Sequence, residues 1–225
     1  MTKDRVFWSR RTESHREIAE EFGLHIEGCR LSAGEGANAL AYEILPPDGD
    51  FRLAVQQWTF RVDDVFPVPK WYDREQAEAR AREVVPEWVA EKIVLPGQVI
   101  DCLDDNRQII VCYGDINTMR GGTLNDMWGG TLNTMWGGTL NAMRGGALNT
   151  MWGGTLNAMR GGALNTMRGG TLNDMRGGAL NTMRGGTLND MWGGTLNAMR
   201  GGTLNTMWGG TLNAMRGGAL NTMWG

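Results

Sequence analysis

The chain has 225 residues and a formal net charge of −3, and its 34 glycines, 15 methionines and 10 tryptophans depart from the composition of an average globular domain. No apolar run is long enough to cross a bilayer, and the opening MTKDRVFWSRR lacks the apolar core of a signal peptide, so a cytoplasmic protein with no membrane partner is expected. Residues 1–112 carry 14 Lys and Arg against 21 Asp and Glu, while residues 113–225 carry 8 Arg against 4 Asp, so an acidic head precedes a mildly basic tail.

The head has the pattern of a small α+β domain. Ser14 and Glu17 form a capping box ahead of HREIAEEF, and Gly23 supplies a stop, which predicts a helix over 14–22. LHIEGCRLS, ALAYEIL and FRLAVQQWTF alternate apolar and polar residues as strands do, with AGEGAN and PPDGD between them as turns. Asp73 opens a second helix, REQAEARAREVV, which Pro86 is expected to kink before WVAEKI. VLPGQVID and NRQIIVCYG then resemble a closing hairpin around Asp104, Asp105 and Asn106. Its second strand runs straight into the tail, so residues 1–112 are expected to cap the fold that follows.

Chemistry-bearing residues are sparse in the head. Cys29, Cys102 and Cys112 are widely spaced and odd in number, which predicts free thiols rather than a disulfide framework or a zinc site. His15 and His25 are the only imidazoles, and His15 is expected to be exposed at a helix start. Asp63/Asp64 and Asp104/Asp105 lie in turn-like sequence with no His or Cys at ligand spacing. The glycines of SAGEGAN match neither GxGxxG nor a phosphate loop ending in GK[ST]. REIAEEFGL resembles the first helix of a DNA-reading pair, but no second amphipathic helix follows it. No nucleophile, base and orienter come together, so neither enzymatic activity nor any cofactor or metal is expected.

Residues 113–224 are fourteen tandem octapeptides, beginning YGDINTMR, GGTLNDMW, GGTLNTMW and GGTLNAMR and closing with GGALNTMW before Gly225. Two glycines, a Leu (Ile116 in the first unit), an Asn and a Met recur, with Tyr113 the one intruder on the glycine pair. Thr or Ala fills the third position (Asp115 at the start), Thr, Asp or Ala the sixth, and Trp or Arg the eighth. A position accepting both an indole and a guanidinium faces solvent or a partner, because a buried unpaired guanidinium costs several kcal/mol. The invariant Leu and Met therefore form the core. They lie three apart, whereas residues on one face of a straight strand lie two apart, so a corner is needed, expected at the Asn, with a second at the glycine pair. A helix is excluded, since two glycines per octad cost roughly 2 kcal/mol relative to alanine.

What remains is a β-solenoid of very short strands, with like side chains stacked about 4.8 Å apart and asparagine ladders at the corners. Sixth-position residues alternate between Thr and Asp/Ala in twelve of thirteen steps, the slip falling between Asp190 and Ala198. This points to a four-sided coil of two octads, with the two octad classes on opposite walls and seven coils stacked to roughly 34 Å. Duplication of sixteen-residue blocks would leave the same alternation without a structural cause.

In style the repeat resembles pentapeptide-repeat proteins, with an inward Leu in a short unit, and ice-nucleation proteins, with octapeptides organised in sixteen-residue coils. The A(D/N)Lxx and AGYGSTxT units of those families are absent, so the resemblance covers residues 113–225 and implies architecture alone.

The expected function is that of a non-enzymatic structural or interaction protein. Arg120, Trp128, Trp136, Arg144, Trp152, Arg160, Arg168, Arg176, Arg184, Trp192, Arg200, Trp208, Arg216 and Trp224 form an outward ladder. Either these residues stack on one another and cover the tube, or they bind nucleic acid or a glycan, aromatic faces taking bases or sugar rings and arginines taking phosphates. An ice-binding array of the Thr-x-Asn kind, as at Thr123 and Asn125, is a further alternative, and a disordered glycine-rich tail another. Nothing after Trp224 blocks the open edge of the last coil, so a homodimer joined through that coil is expected.

Overall fold

The computed structural model describes residues 1–2, 5–9, 14–24, 39–62, 70–105 and 107–224. His25, Cys29, Asp63/Asp64, Asn106, Gly225, the AGEGAN turn and all of the expected strand LHIEGCRLS beyond Leu24 lie outside the described residues. The chain forms two compact units, Met1–Glu91 and Lys92–Gly225.

In the first unit, helix α1 (His15–Glu21) starts where the capping box places it, with the Ser14 hydroxyl accepting from the Glu17 amide at 3.4 Å. His15 is half-buried rather than exposed, because its Nε2 lies 3.2 Å from the Tyr42 carbonyl. Strands β1 (Tyr42–Leu45) and β2 (Thr59–Val62) pair antiparallel, Tyr42 opposite Val62. None of FRLAVQQ is strand, contrary to its alternation. The Asp50 carboxylate accepts from the Arg52 amide at 3.0 Å and from its guanidinium at 2.8 Å, and this local bonding holds the segment in a turn. Helix α2 (Arg74–Lys92) is continuous through Pro86. Its Ala77 and Ala81 pack with Met1, Leu40 and Phe60. The Arg82 guanidinium donates to the Val55 and Trp58 carbonyls at 2.9 and 2.8 Å, which ties the helix to the segment before β2.

The second unit is a parallel β-solenoid of about eight turns, made of one eight-stranded and one nine-stranded sheet. It begins before the repeat. Strands β3 (Ile93–Val94) and β5 (Gln108–Cys112) pair in parallel in one sheet, while β4 (Val99–Leu103) pairs in parallel with Asp115–Met119 in the other. The expected hairpin is therefore a first coil: the turn at Asp104 and Asp105 carries the chain across to the opposite sheet rather than back along β4. Leu103, Ile109 and Cys112 supply the inward apolar positions that Leu and Met supply later, and with Val94 they join the repeat's core.

Each interior octad contributes a five-residue strand from its third to its seventh residue, such as Thr171–Met175. Partners sit sixteen residues apart, Leu156 on Leu172 and Met159 on Met175, with the ladder interrupted at the Asn between them. That interruption turns the strand so that Leu and Met, three apart, both reach 0% exposure. Each octad of the expected two-octad coil is thus one strand bent at its asparagine. The glycine corner is needed for clearance as well as conformation: Gly170 has φ +76, and a Cβ there would stand 2.6 Å from the Gly154 carbonyl oxygen of the coil before it. Backbone bonding continues around this corner, the Arg176 amide donating to Met159 at 2.8 Å and the Thr171 amide to Gly154 at 3.0 Å.

The two octad classes do lie on opposite walls, but only as far as Asp190. There Thr182 pairs with Ala198 and Asp190 with Thr206, so the classes exchange walls while the sixteen-residue coil continues unchanged. The coil length is set by the invariant Gly, Leu, Asn and Met positions, not by the sixth residue.

Candidate binding face of the solenoid

The sixteen-residue coil sorts the ladder into two columns. The wall of the eight-stranded sheet carries Arg120, Trp136, Trp152, Arg168, Arg184, Arg200 and Arg216, and the other wall carries Trp128, Arg144, Arg160, Arg176, Trp192, Trp208 and Trp224. All are exposed except the half-buried Arg144, as a position shared by indole and guanidinium requires.

The indoles are stacked along the columns. Trp136 lies on Trp152 at 5.2 Å between ring centroids, Trp192 on Trp208 at 5.1 Å and Trp208 on Trp224 at 5.5 Å, all within 9° of parallel. Arg168 covers the next face of Trp152 at 4.6 Å, and Arg144 covers Trp128 at 4.8 Å. Trp152 and Trp208 thus have both faces occupied, and every indole of the repeat has at least one. Contacts of this kind contribute about 0.5–1 kcal/mol each at an exposed site.

Charge divides the columns more sharply. On the nine-stranded wall the sixth positions include Asp126, Asp174 and Asp190. Asp126 accepts from Arg144 at 2.6 Å, Asp174 from Arg176 at 3.0 Å and Asp190 from the Trp208 indole N–H at 3.3 Å. On the eight-stranded wall the sixth positions are Thr118, Thr134, Thr150, Thr166, Thr182, Ala198 and Ala214, with no carboxylate. Arg168, Arg184, Arg200 and Arg216 follow one another on successive coils there, and among the described residues none forms an ion pair. Like charges about 5 Å apart repel by roughly 1 kcal/mol even in water, and among the described residues this row has the Trp152 ring under Arg168 but no carboxylate to offset that.

Asparagine ladders run beside both columns. On the eight-stranded wall each Asn amide donates to the side-chain oxygen of the coil before it, as Asn165 does to Asn149 at 2.8 Å, and the series ends where Asn117 donates to the Asp101 carboxylate at 2.9 Å. Asp101 stands where a further Asn would, and its charge faces the N–H ends of the aligned amides. Asp115, the exception in third position, accepts from the Thr131 amide at 2.7 Å, a bond that a glycine carbonyl makes in later coils. The Thr-x-Asn array is only partly regular. Thr123 to Thr203 form an unbroken column on one wall, but Ala147, Ala163 and Ala179 interrupt it on the other, and the asparagines are engaged with each other.

Elsewhere, Cys102 is exposed, and Cys112 is buried with its thiol donating to the Gly114 carbonyl at 3.2 Å. Burial pushes the Cys112 thiol up to about 12. Among the described residues no three His, Cys, Asp or Glu gather as a metal site, and no helix is long and apolar enough to cross a membrane. The first unit has an open groove of about 370 Å³ lined by Phe7, Trp8, Phe22, Arg80 and Glu83 among others.

Treating the ladder as one fourteen-residue position conceals the division into columns. The signal was present in the sequence: taken at every sixteenth residue, the eighth positions run Arg168, Arg184, Arg200, Arg216 on one wall and Trp192, Trp208, Trp224 on the other.

Comparison with protein families, with characterised proteins and with solved structures finds no match to this chain. What stands is the parallel β-solenoid itself, and the likeness to pentapeptide-repeat and ice-nucleation proteins rests on repeat spacing alone.

Proposed function

We propose that this protein is a non-enzymatic scaffold that self-associates through the last coil of its solenoid to form a homodimer. The sameness of the coils carries the reading. Leu172 stacks between Leu156 and Leu188, and Met175 between Met159 and Met191, so the face of one coil is shaped to be covered by a copy of itself. A face of unpaired strand and apolar side chains fits a second face of the same shape, and two-fold pairing covers both at once. Light scattering after gel filtration at tens of micromolar tests this. A dimer that Leu220→Lys with Met223→Lys converts to a monomer supports it, and a monomeric wild-type chain overturns it.

Binding of bases or sugar rings on the tryptophan faces has less support, because those faces are wholly or half taken by neighbouring coils. Ice binding is weakened by the alanines that break one threonine column and by the asparagines' bonds to each other. The arginines of the eight-stranded wall, which have no carboxylate partner among the described residues, are the part of the ladder still open to a ligand.

A further inference from the structure

We propose that the column Arg168, Arg184, Arg200 and Arg216 binds the phosphate backbone of single-stranded nucleic acid without reading its bases. This site is on the side of the solenoid, so it does not depend on self-association through the last coil.

Three observations carry it. First, the four guanidiniums occupy one structural position on four successive coils, all exposed, beside Thr166, Thr182, Ala198 and Ala214 and no acid. The opposite wall meets its own arginines with Asp126 and Asp174, so the chain has a means of neutralising such a column and does not use it here. An anion laid along the row removes the mutual repulsion of the four charges.

Second, residues 113–225 contain eight arginines and no lysine. A guanidinium offers a planar fork of N–H donors that meets two phosphate oxygens at once, whereas an ammonium is a point charge. Third, the row follows the stacking direction of the coils, whose backbones lie about 4.8 Å apart. A flexible single strand can lay its phosphates along such a row, while those of a duplex wind away from it. Base recognition is not available, since Trp152, the indole next to the row, lies between Trp136 and Arg168. The same covered faces disfavour a glycan, whose rings would need an open indole.

The test uses the full chain and labelled oligothymidylate and oligoadenylate, with anisotropy titrations between 50 and 200 mM salt. Four phosphate contacts predict a log–log salt slope of about −3, with the two oligonucleotides within threefold of each other. Arg184→Trp with Arg200→Trp, exchanges that the same column already contains at Trp136 and Trp152, should weaken binding about 50- to 100-fold at 50 mM and reduce the slope by about 1.4. Arg184→Gln with Arg200→Gln gives the same loss if the tryptophan variant misfolds. Arg160→Trp on the other wall should change affinity less than threefold. No binding at 50 mM salt, an equal loss from Arg160→Trp, or tighter binding of a polyuronate than of the oligonucleotides overturns the assignment.

Discussion

In the first unit Phe60 packs against Met1, Leu40 and the alanines of α2, each a different residue from a different part of the chain. In the solenoid Leu172 stacks between Leu156 and Leu188, copies of itself one coil before and one coil after. The first arrangement is a core in which each contact is specific and long-range. The second is one contact repeated, with each coil touching only its neighbours, so stability is close to a sum of like terms along a line. Errors therefore spread differently: in the first unit through the whole of a small core, in the solenoid through the coils on either side of the fault.

Leu172→Asp should produce the largest effect. It sets a carboxylate among leucines and methionines with no partner, costing more than about 5 kcal/mol once the lost leucine is included. Amide exchange should show the coils around residue 172 opened and the first unit still protected. A uniform loss of protection over both units would erase the distinction between them.

Phe60→Ala is the counterpart in the other unit, at about 3–5 kcal/mol. Circular dichroism melts should show loss of helix signal at lower temperature while the strand signal of the solenoid melts as before. Loss of both signals together would mean that the two units unfold as one.

Asn165→Ala interrupts one ladder midway, leaving the Asn149 oxygen and an Asn181 N–H without their partners at a cost of about 2 kcal/mol. Because the core beneath is untouched, the melting point should fall without loss of the folded baseline. No measurable shift would show that water replaces the ladder at no cost.

Trp192→Arg should be the quietest, within about 0.5 kcal/mol, since it trades one stacking contact for a residue that the position holds elsewhere. Thermal shifts of equal size for Trp192→Arg and Leu172→Asp would overturn the assignment of inside and outside.

How well each region could be read follows from the same contrast. The inward Leu and Met, the outward Trp and Arg, and the turn at Asn were legible because a repeat displays, within one chain, what each position tolerates. Helix α1 was legible from a local signal, the Ser14 cap. FRLAVQQ was misread because the Asp50–Arg52 bonds outweigh a periodicity that only describes what a strand there would look like. Pro86 marks no end of α2, because a proline inside a helix removes one backbone bond while the turns on either side keep theirs.

By itself the sequence determined the residues that face inward and the need for glycine at one corner, because these follow from spacing, volume and backbone sterics within a single octad, whereas the pairing of strands sixteen residues apart came from the structure. Only the tertiary structure decided that residues 93–112 form a coil rather than a hairpin, since parallel and antiparallel pairing demand the same alternation and differ in where the turn at Asp104 sends the chain. With the coil fixed at sixteen residues, the sixth-position aspartates fall on one wall and the run from Arg168 to Arg216 on the other, a grouping visible in the sequence only once it is taken at every sixteenth residue. The physical reason is that stacking makes neighbours of residues sixteen apart. The charge of a wall is thus a property of every second octad, which the octad taken singly does not contain.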